Sequence, residues 1–478
     1  MLRRRRTRHL LRGISLLSIL VPLPASSADR IAVPVPPDQA SRRTTPPPQP
    51  PRDGAPAPAA LNFAGRLGRA LRHRNYRLFF AGQGISVIGT WLTRFATSWM
   101  AYRLTGSALV LGLVAFFGQA PASFIAPFAG VLIDRWDRHR TIVITQVFAL
   151  LQSAALAVFA LTHTMTIWHL LVLGAVQAVI NGFDMPARQS FLSQMIDDRA
   201  DLPNAIALNS SIVNSARLIG PVVAAVLVDL FGEGLCFTID AASYLAVIAS
   251  LLMMRVAKRP PQARRGRVSA ELAEGLRYVW HLPLVRAVLV MLAISSVAGG
   301  AYGALMPLIA AKTLAGGPHT LGLLMGSAGC GALVAALYLA SRSSVIGLPT
   351  VIKRCALGLG LGLVAFEVAT AMWIAMPVMF VIGLSMMMQL AATNTLVQTL
   401  VDDKMLGRVI SLYAVAFFGG APLGALLEGA LANQIGAVHT FAVAGVVCIA
   451  CALVFASALP RLREISRPLY VRRGLIVE

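Results

Sequence analysis

Residues 104–140 read LTGSALVLGLVAFFGQAPASFIAPFAGVLIDRWDRHR. Leu104 through Ile133 carry no charge, and then Asp134, Arg135, Asp137, Arg138 and Arg140 arrive together. About 20 apolar residues suffice for a helix to cross a bilayer, so this stretch reads as membrane-spanning and ends in a charged loop. A spanning strand would alternate apolar and polar residues over about ten positions, and this stretch does not.

The same rhythm extends outward. Charge-free intervals separate Arg140 from Asp184, Arg286 from Lys312, Lys312 from Arg342, Glu367 from Asp402, and Glu428 from Arg461. Spans are expected at 78–102, 107–132, 141–162, 166–187, 206–230, 235–255, 284–310, 319–341, 352–370, 374–396, 408–432 and 437–459. Composition agrees: of 478 residues, 57% are hydrophobic and 13% charged, against roughly 25% charged in soluble domains. The expected fold is an all-α membrane protein of twelve transmembrane helices in two six-helix halves.

Loop charge sets the orientation. From residue 66 on, one face gathers 28 Lys and Arg, beginning with Arg66 to Arg77, while the other has Arg103 and Lys312. Positive loops stay in the cytoplasm, so both termini are expected there, in a bacterial inner membrane. The net charge of +22 belongs to these loops, not to a nucleic-acid surface. Met1 to Arg12 with six arginines, the apolar run Ile14 to Leu23 and the segment Pro24 to Ala28 are similar to a secretory signal. The arginines before residue 78 favour instead a disordered, basic and Pro-rich cytoplasmic extension over 1–65. The five cysteines, Cys448-x-x-Cys451 included, sit in apolar surroundings and read as packing residues.

A basic segment at 256–283, with a short surface helix expected over 270–280, separates halves at 66–255 and 284–460; a tail follows at 461–478. The halves echo each other. Asp197-Asp198-Arg199 recurs as Asp402-Asp403-Lys404, Gly220-Pro221 as Ala421-Pro422, and the Asp134 to Arg140 loop more weakly as Ser341-Arg342-Ser343. Repeated halves of this kind place a site at their interface near mid-membrane.

With the loop Gly130-Val-Leu-Ile-Asp134-Arg135-Trp-Asp-Arg138-His-Arg140, the chain resembles the major facilitator superfamily. The resemblance implies that Asp134, Arg135, Arg138 and Arg140, beside Arg188, latch the cytoplasmic side in one conformation. A carboxylate at a helix end can pair there and release on rocking. Asp137 stands where the general motif has glycine, implying a different turn.

Further motifs resemble the enterobactin-exporter branch, the transmembrane secretion effectors. They are Gly89-Thr-Trp91 with Arg94, Leu104-Thr-Gly-Ser107, and Phe183-Asp184-Met-Pro186-Ala-Arg188-Gln189. Asn204-Ala-Ile-Ala-Leu-Asn209-Ser, Asn214-Ser-Ala-Arg217-Leu-Ile-Gly220-Pro221 and Gly407-Arg408-Val-Ile-Ser411-Leu-Tyr413 belong with them. That branch implies export of siderophores or drugs. Gly220-Pro221 is also similar to the fifth-helix motif of proton-coupled antiporters, with Ala224 and Ala225 in place of glycines. The superfamily's fourth-helix arginine would fall near Gly174, so its proton relay does not carry over.

Charges inside spans point to a site, because each costs at least a few kcal/mol at mid-bilayer. Arg217 falls about 18 Å into its helix and Arg94 about 24 Å, at 1.5 Å per residue. Asp184 falls near the cytoplasmic end, too far from Arg94 to pair. Glu367, Asp229, Asp240 and Glu428 are expected at wetted outer helix ends. The resemblance implies a cavity lined by the first, fourth, seventh and tenth helices. There the chain offers Gln83, Gln177, Asn181, Ser295, Ser296, Tyr302, Gln389 and Asn394 among apolar residues, which suits a bulky amphipathic solute.

The candidate substrate and proton pathway is therefore Arg94, Arg217, Gln83, Gln177, Asn181, Asp184, Gln389 and Asn394, with Asn214, Gly220 and Pro221 as the helix-five motif. The glycine runs 322–331 and 358–362 read as packing surfaces. No Gly-x4-Gly-Lys-Ser/Thr motif occurs, which disfavours an ATP-driven pump. The expectation is a monomeric secondary transporter of a small molecule, not an enzyme. It works in lipid on a proton gradient, with no cofactor, metal or nucleic acid. An importer on the same fold is the alternative. A membrane-embedded enzyme is more remote, since His163 and His169 fall at an outer turn.

Overall fold

A computed structural model describes residues 68–133, 136–196, 198–256, 268–342, 344–473 and 475. The 1–65 extension, Asp134 and Arg135 lie outside the described residues. Among the described residues every regular element is helical. The first expected span is α1 (Arg74–Thr105); the second is split into α2 (Ala108–Phe117) and α3 (Ala120–Ile133). Then come α4 (Arg138–Leu161), α5 (Ile167–Leu192), α6 (Leu202–Phe231), α7 (Glu233–Leu252) and the linker helix α8 (Val268–Trp280). They are followed by α9 (Pro283–Leu308), α10 (Pro318–Ala340), α11 (Leu348–Ala365), α12 (Met372–Leu400), α13 (Asp403–Ala414), α14 (Gly420–Ile435) and α15 (Ala437–Arg472). Among the described residues eleven stretches are long and apolar enough to cross a membrane. The helix α1, 32 residues long with Arg94 inside it, stands where the remaining span is expected. The last helix runs past its expected end at 459, to Arg472.

Local chemistry explains the irregularities. The second span breaks because Pro121 has no N–H to offer the Phe117 carbonyl. α9 and α13 each pass into a single π turn, at Ile309–Thr313 and Val415–Gly419. A widened turn displaces carbonyls from their helical donors. In the second one, Ser296 donates to the Phe417 carbonyl at 2.6 Å and Ser123 to the Phe418 carbonyl at 2.8 Å. Gly232 and Gly436, at φ of +77° and +90°, are the single residues between α6 and α7 and between α14 and α15. Side chains rarely adopt that region, and the two reversals occupy corresponding places in the repeat.

Packing repeats as well. α1 packs on α6 and α7, α4 on α5 and α7, and α3 on α5; likewise α9 packs on α14 and α15, α11 on α12 and α15, and α10 on α12. Two seams, α2–α14 and α6–α10, join the sets. Both are lined by small residues. A Cβ at Gly112 would lie 2.5 Å from the Ala425 carbonyl oxygen, and one at Gly429 2.8 Å from that of Ala108. At Gly326 and Gly329 it would lie 2.8 Å and 3.0 Å from Val222 and Leu218. Such backbone approach lets membrane helices associate by dispersion alone. The run 322–331 is thus a packing surface, and so is 358–362, where a Cβ on Gly360 would lie 2.7 Å from the Gly445 carbonyl oxygen. At the end remote from the start of α4, His319 meets Asp229 at 2.8 Å and Lys312 donates to the Gly106 carbonyl at 3.4 Å.

Candidate functional site

Trp91 and Arg94 lie one turn apart on α1; Arg217 and Gly220 lie one turn apart on α6. The Trp91 Cβ presses on Gly220 so closely that a side chain there would collide with it. This contact brings the two arginines to one indole. The Arg94 and Arg217 guanidinium carbons are 5.3 and 5.8 Å from the Trp91 ring centroid, within cation–π range. Arg217 also reaches the Met387 sulfur on α12 at 3.5 Å, and Tyr302 on α9 is close enough to interact electrostatically with it. Arg94 is exposed and Arg217 half-buried although both lie deep within long helices. The cluster therefore faces the space where α1 and α6 approach α9 and α12. Among the described residues neither arginine has a carboxylate partner.

The other candidates divide. On α1, Gln83 is half-buried with an unpartnered, buried amide oxygen. On α5, Gln177 donates to Asn181 at 3.2 Å and its own amide oxygen is left in the same state. Asp184 is not part of the arginine cluster. It forms an ion pair with Arg188 and accepts from Thr145 and Gln146 of α4 at 2.7 and 3.0 Å. Gln389, 0% exposed, donates to Ser295 at 2.9 Å and so ties α12 to α9. Asn394 accepts from Gln398 at 3.2 Å, and Asn214 donates to the Ser210 carbonyl at 2.9 Å, each within its own helix. The Pro221 carbonyl faces Gly322 across the α6–α10 seam.

At the charged loop, Asp137 takes the place of glycine as the N-cap of α4. Its carboxylate accepts from the Arg140 backbone N–H at 2.9 Å, which satisfies a donor that the helix start leaves open. Gly130 ends in open space, Arg138 is half-buried and Arg140 exposed. Trp136 stacks on Phe183 with centroids 6.3 Å apart.

Two carboxylates correct the expectation of wetted helix ends: Asp240 is 2% and Glu428 7% exposed. Asp240 accepts from Thr93 of α1 at 2.9 Å and Ser153 of α4 at 2.8 Å. The cause is a stripe of small residues, Gly82, Ser86 and Gly89, against which Asp240, Ser243, Val247 and Ser250 of α7 pack. A Cβ on Gly89 would come 2.7 Å from Asp240 Oδ1. The signal was present as two stripes at helical spacing, but each is visible only once α1 and α7 are known to pair. Glu367 and Asp229 are less buried, beside His439 and His319 at 2.8 Å.

Comparison with known proteins accords with this geometry. The family described as transmembrane secretion effector matches residues 69–469. The staphyloferrin A transporter of Staphylococcus aureus is 25% identical over 384 residues, covering 79% of this chain and 95% of that protein. The multidrug efflux pump Tap of Mycolicibacterium fortuitum is 25% identical over 396 residues (81% and 94%), and macrolide efflux protein A of Streptococcus pyogenes 22% over 404 residues (83% and 98%). Among solved structures, a bacterial homolog of the human lysosomal transporter Spinster, inward-facing and unoccupied, superposes with a TM-score of 0.58 at 12% identity, covering 86% of this chain and 99% of that one. The peptide transporter POT in complex with sulfate gives 0.65 at 13% identity, covering 81% and 95%. The chain therefore belongs to the transmembrane secretion effector family of major facilitator transporters, and it is a multi-pass membrane transporter rather than an enzyme.

Proposed function

We propose that the chain is a proton-coupled exporter of an amphipathic small molecule, siderophores among the class, working by alternating access in a bacterial inner membrane. In this reading twelve helices span the bilayer, with α1 as the first and both termini cytoplasmic. The protein acts as a monomer without a cofactor. The carrying observation is the Arg94–Trp91–Arg217 cluster, which sets two cations and an aromatic face where the two helix sets approach each other. Arg217 falls near the expected bilayer midplane, where an arginine costs about 3 kcal/mol, which favours a function over a packing role. The efflux pumps among its relatives support the direction, and the staphyloferrin A transporter with the multidrug and macrolide pumps supports a small-molecule solute. The charged loop and Arg188 serve as the cytoplasmic latch.

The energetics fit one proton per solute. A proton crossing about 100 mV releases roughly 2.3 kcal/mol, and a tenfold gradient requires about 1.4 kcal/mol, so a gradient of some tens-fold is sustainable. The test compares secreted metabolites of deletion and complemented cells, then follows export of the missing compound from loaded cells. Export is expected to collapse when the membrane potential and pH gradient are abolished; undiminished export would exclude proton coupling.

A further inference from the structure

We propose that the Arg94–Trp91–Arg217 cluster is an anion subsite, and that the solute is an organic carboxylate with a flat apolar part. The inference rests on the transporter reading above and narrows its substrate class.

Three observations carry it. First, the two cations share one indole, at 5.3 and 5.8 Å from its centroid, so their charges repel. Second, among the described residues no carboxylate offsets that repulsion. Asp184 is engaged by Arg188, Thr145 and Gln146, and Asp240 accepts from Thr93 and Ser153. What faces Arg217 is instead the Met387 thioether and the Tyr302 phenol, weak or neutral groups. Third, the cluster is accessible: Arg94 is exposed and Arg217 half-buried.

A cationic solute would add to the repulsion, and a neutral one would leave it. An anion removes it. Guanidinium is planar, keeps its charge at every physiological pH and presents paired N–H donors that match the two oxygens of a carboxylate. Trp91 supplies the neighbouring flat surface, and its position is fixed by Gly220. A solute with two or more acidic groups close to an aromatic or other flat part can engage both arginines and the indole at once. The same charges act at a distance, because a positive patch walled by apolar helices concentrates anions.

The experiment uses the purified full-length chain and two probes of the same shape, naphthalene dicarboxylate and naphthalene dicarboxamide. Calorimetric titration is expected to give binding of the dicarboxylate at least tenfold tighter than that of the amide, and weaker at high salt. Arg94→Gln and Arg217→Gln should each weaken the dicarboxylate at least tenfold, and Arg217→Lys much less. Size-exclusion profile and melting temperature establish that each variant is folded. Should a Gln variant not fold, the comparison of the two probes on the unaltered chain and the Lys variant decide the matter. Equal affinity for the two probes, no detectable dicarboxylate binding, or unchanged binding in folded Gln variants would each overturn the anion subsite. Those outcomes leave export itself standing, since that is read separately from secreted metabolites; a loss of export with binding intact would fault the transport reading instead.

Discussion

A carboxylate lodged between three membrane helices needs donors, and Asp240 has them in Thr93 and Ser153. Replacing it with leucine strands both hydroxyls, and a hydrogen bond inside a helix bundle contributes about 1 kcal/mol. Asp240→Leu is thus expected to destabilise the protein by about 2 kcal/mol, and Asp240→Asn, which keeps an acceptor oxygen, by about half of that. Thermal unfolding of the purified chain reads the difference, and equal melting temperatures for the two variants would refute it. Gly220 poses the opposite problem, since the residue must have no side chain for Trp91 to stay in place. Gly220→Val is expected to lower transport at least tenfold by displacing Trp91 from the two arginines. Gly303→Ala, whose Cβ meets nothing within 4 Å, serves as the control and should transport normally.

At the scale of elements, the linker helix α8 is held on the start of α13. Glu274 forms an ion pair with Arg408, while the Tyr278 hydroxyl donates to Asp402 at 2.9 Å and accepts from the Asp402 backbone N–H at 3.2 Å. Arg473, just past α15, donates to the same carboxylate at 2.8 Å and to the Val401 carbonyl at 2.7 Å. Burial raises the Tyr278 pKa, moving it further from neutrality than that of a free phenol, which is already a donor there. An exposed ion pair contributes little, up to about 1 kcal/mol, so the two bonds of Tyr278 matter at least as much. Tyr278→Phe is expected to speed backbone hydrogen exchange in α8 about fivefold, the factor for roughly 1 kcal/mol, without changing exchange in α4. If α8 exchanges at the unaltered rate, the tyrosine does not hold it.

Over the whole molecule, the helices and their reversals are legible in the sequence because hydropathy and loop charge are local properties. Each expected span falls mainly on helix, although the second is broken at 118–119 and the sixth and ninth overrun the helix ends at Leu252 and Ala365. Asp137, a departure from the loop motif, proves to be a cap. Pairing between helices is not local, and the residues whose setting stays hidden along the chain are those that depend on it. Trp91 could be quoted from a motif, yet its place between Arg94 and Arg217 follows from Gly220 touching α1. Gln389 and Ser296 look like cavity residues along the chain, but they bridge α9 to α12 and to the π turn. In the proposed cycle the outer rim must part, so cysteines at 229 and 319 joined by a short bifunctional reagent should halt export, with reductive cleavage of the reagent restoring it. Export continuing at full rate through the cross-link would refute alternating access.

The seams between the helix sets have a mechanical consequence. Where Gly329 meets the Leu218 backbone and Gly112 meets Gly429, backbone faces backbone, with few side chains that must change rotamer when the surface shifts. In the proposed cycle such a surface would behave as a plain bearing, with the resistance to turning expected at the rim, at His319–Asp229 and Lys312–Gly106. Turnover should then be governed by wear at the rim, and a bulky residue anywhere along the stripe would act as grit.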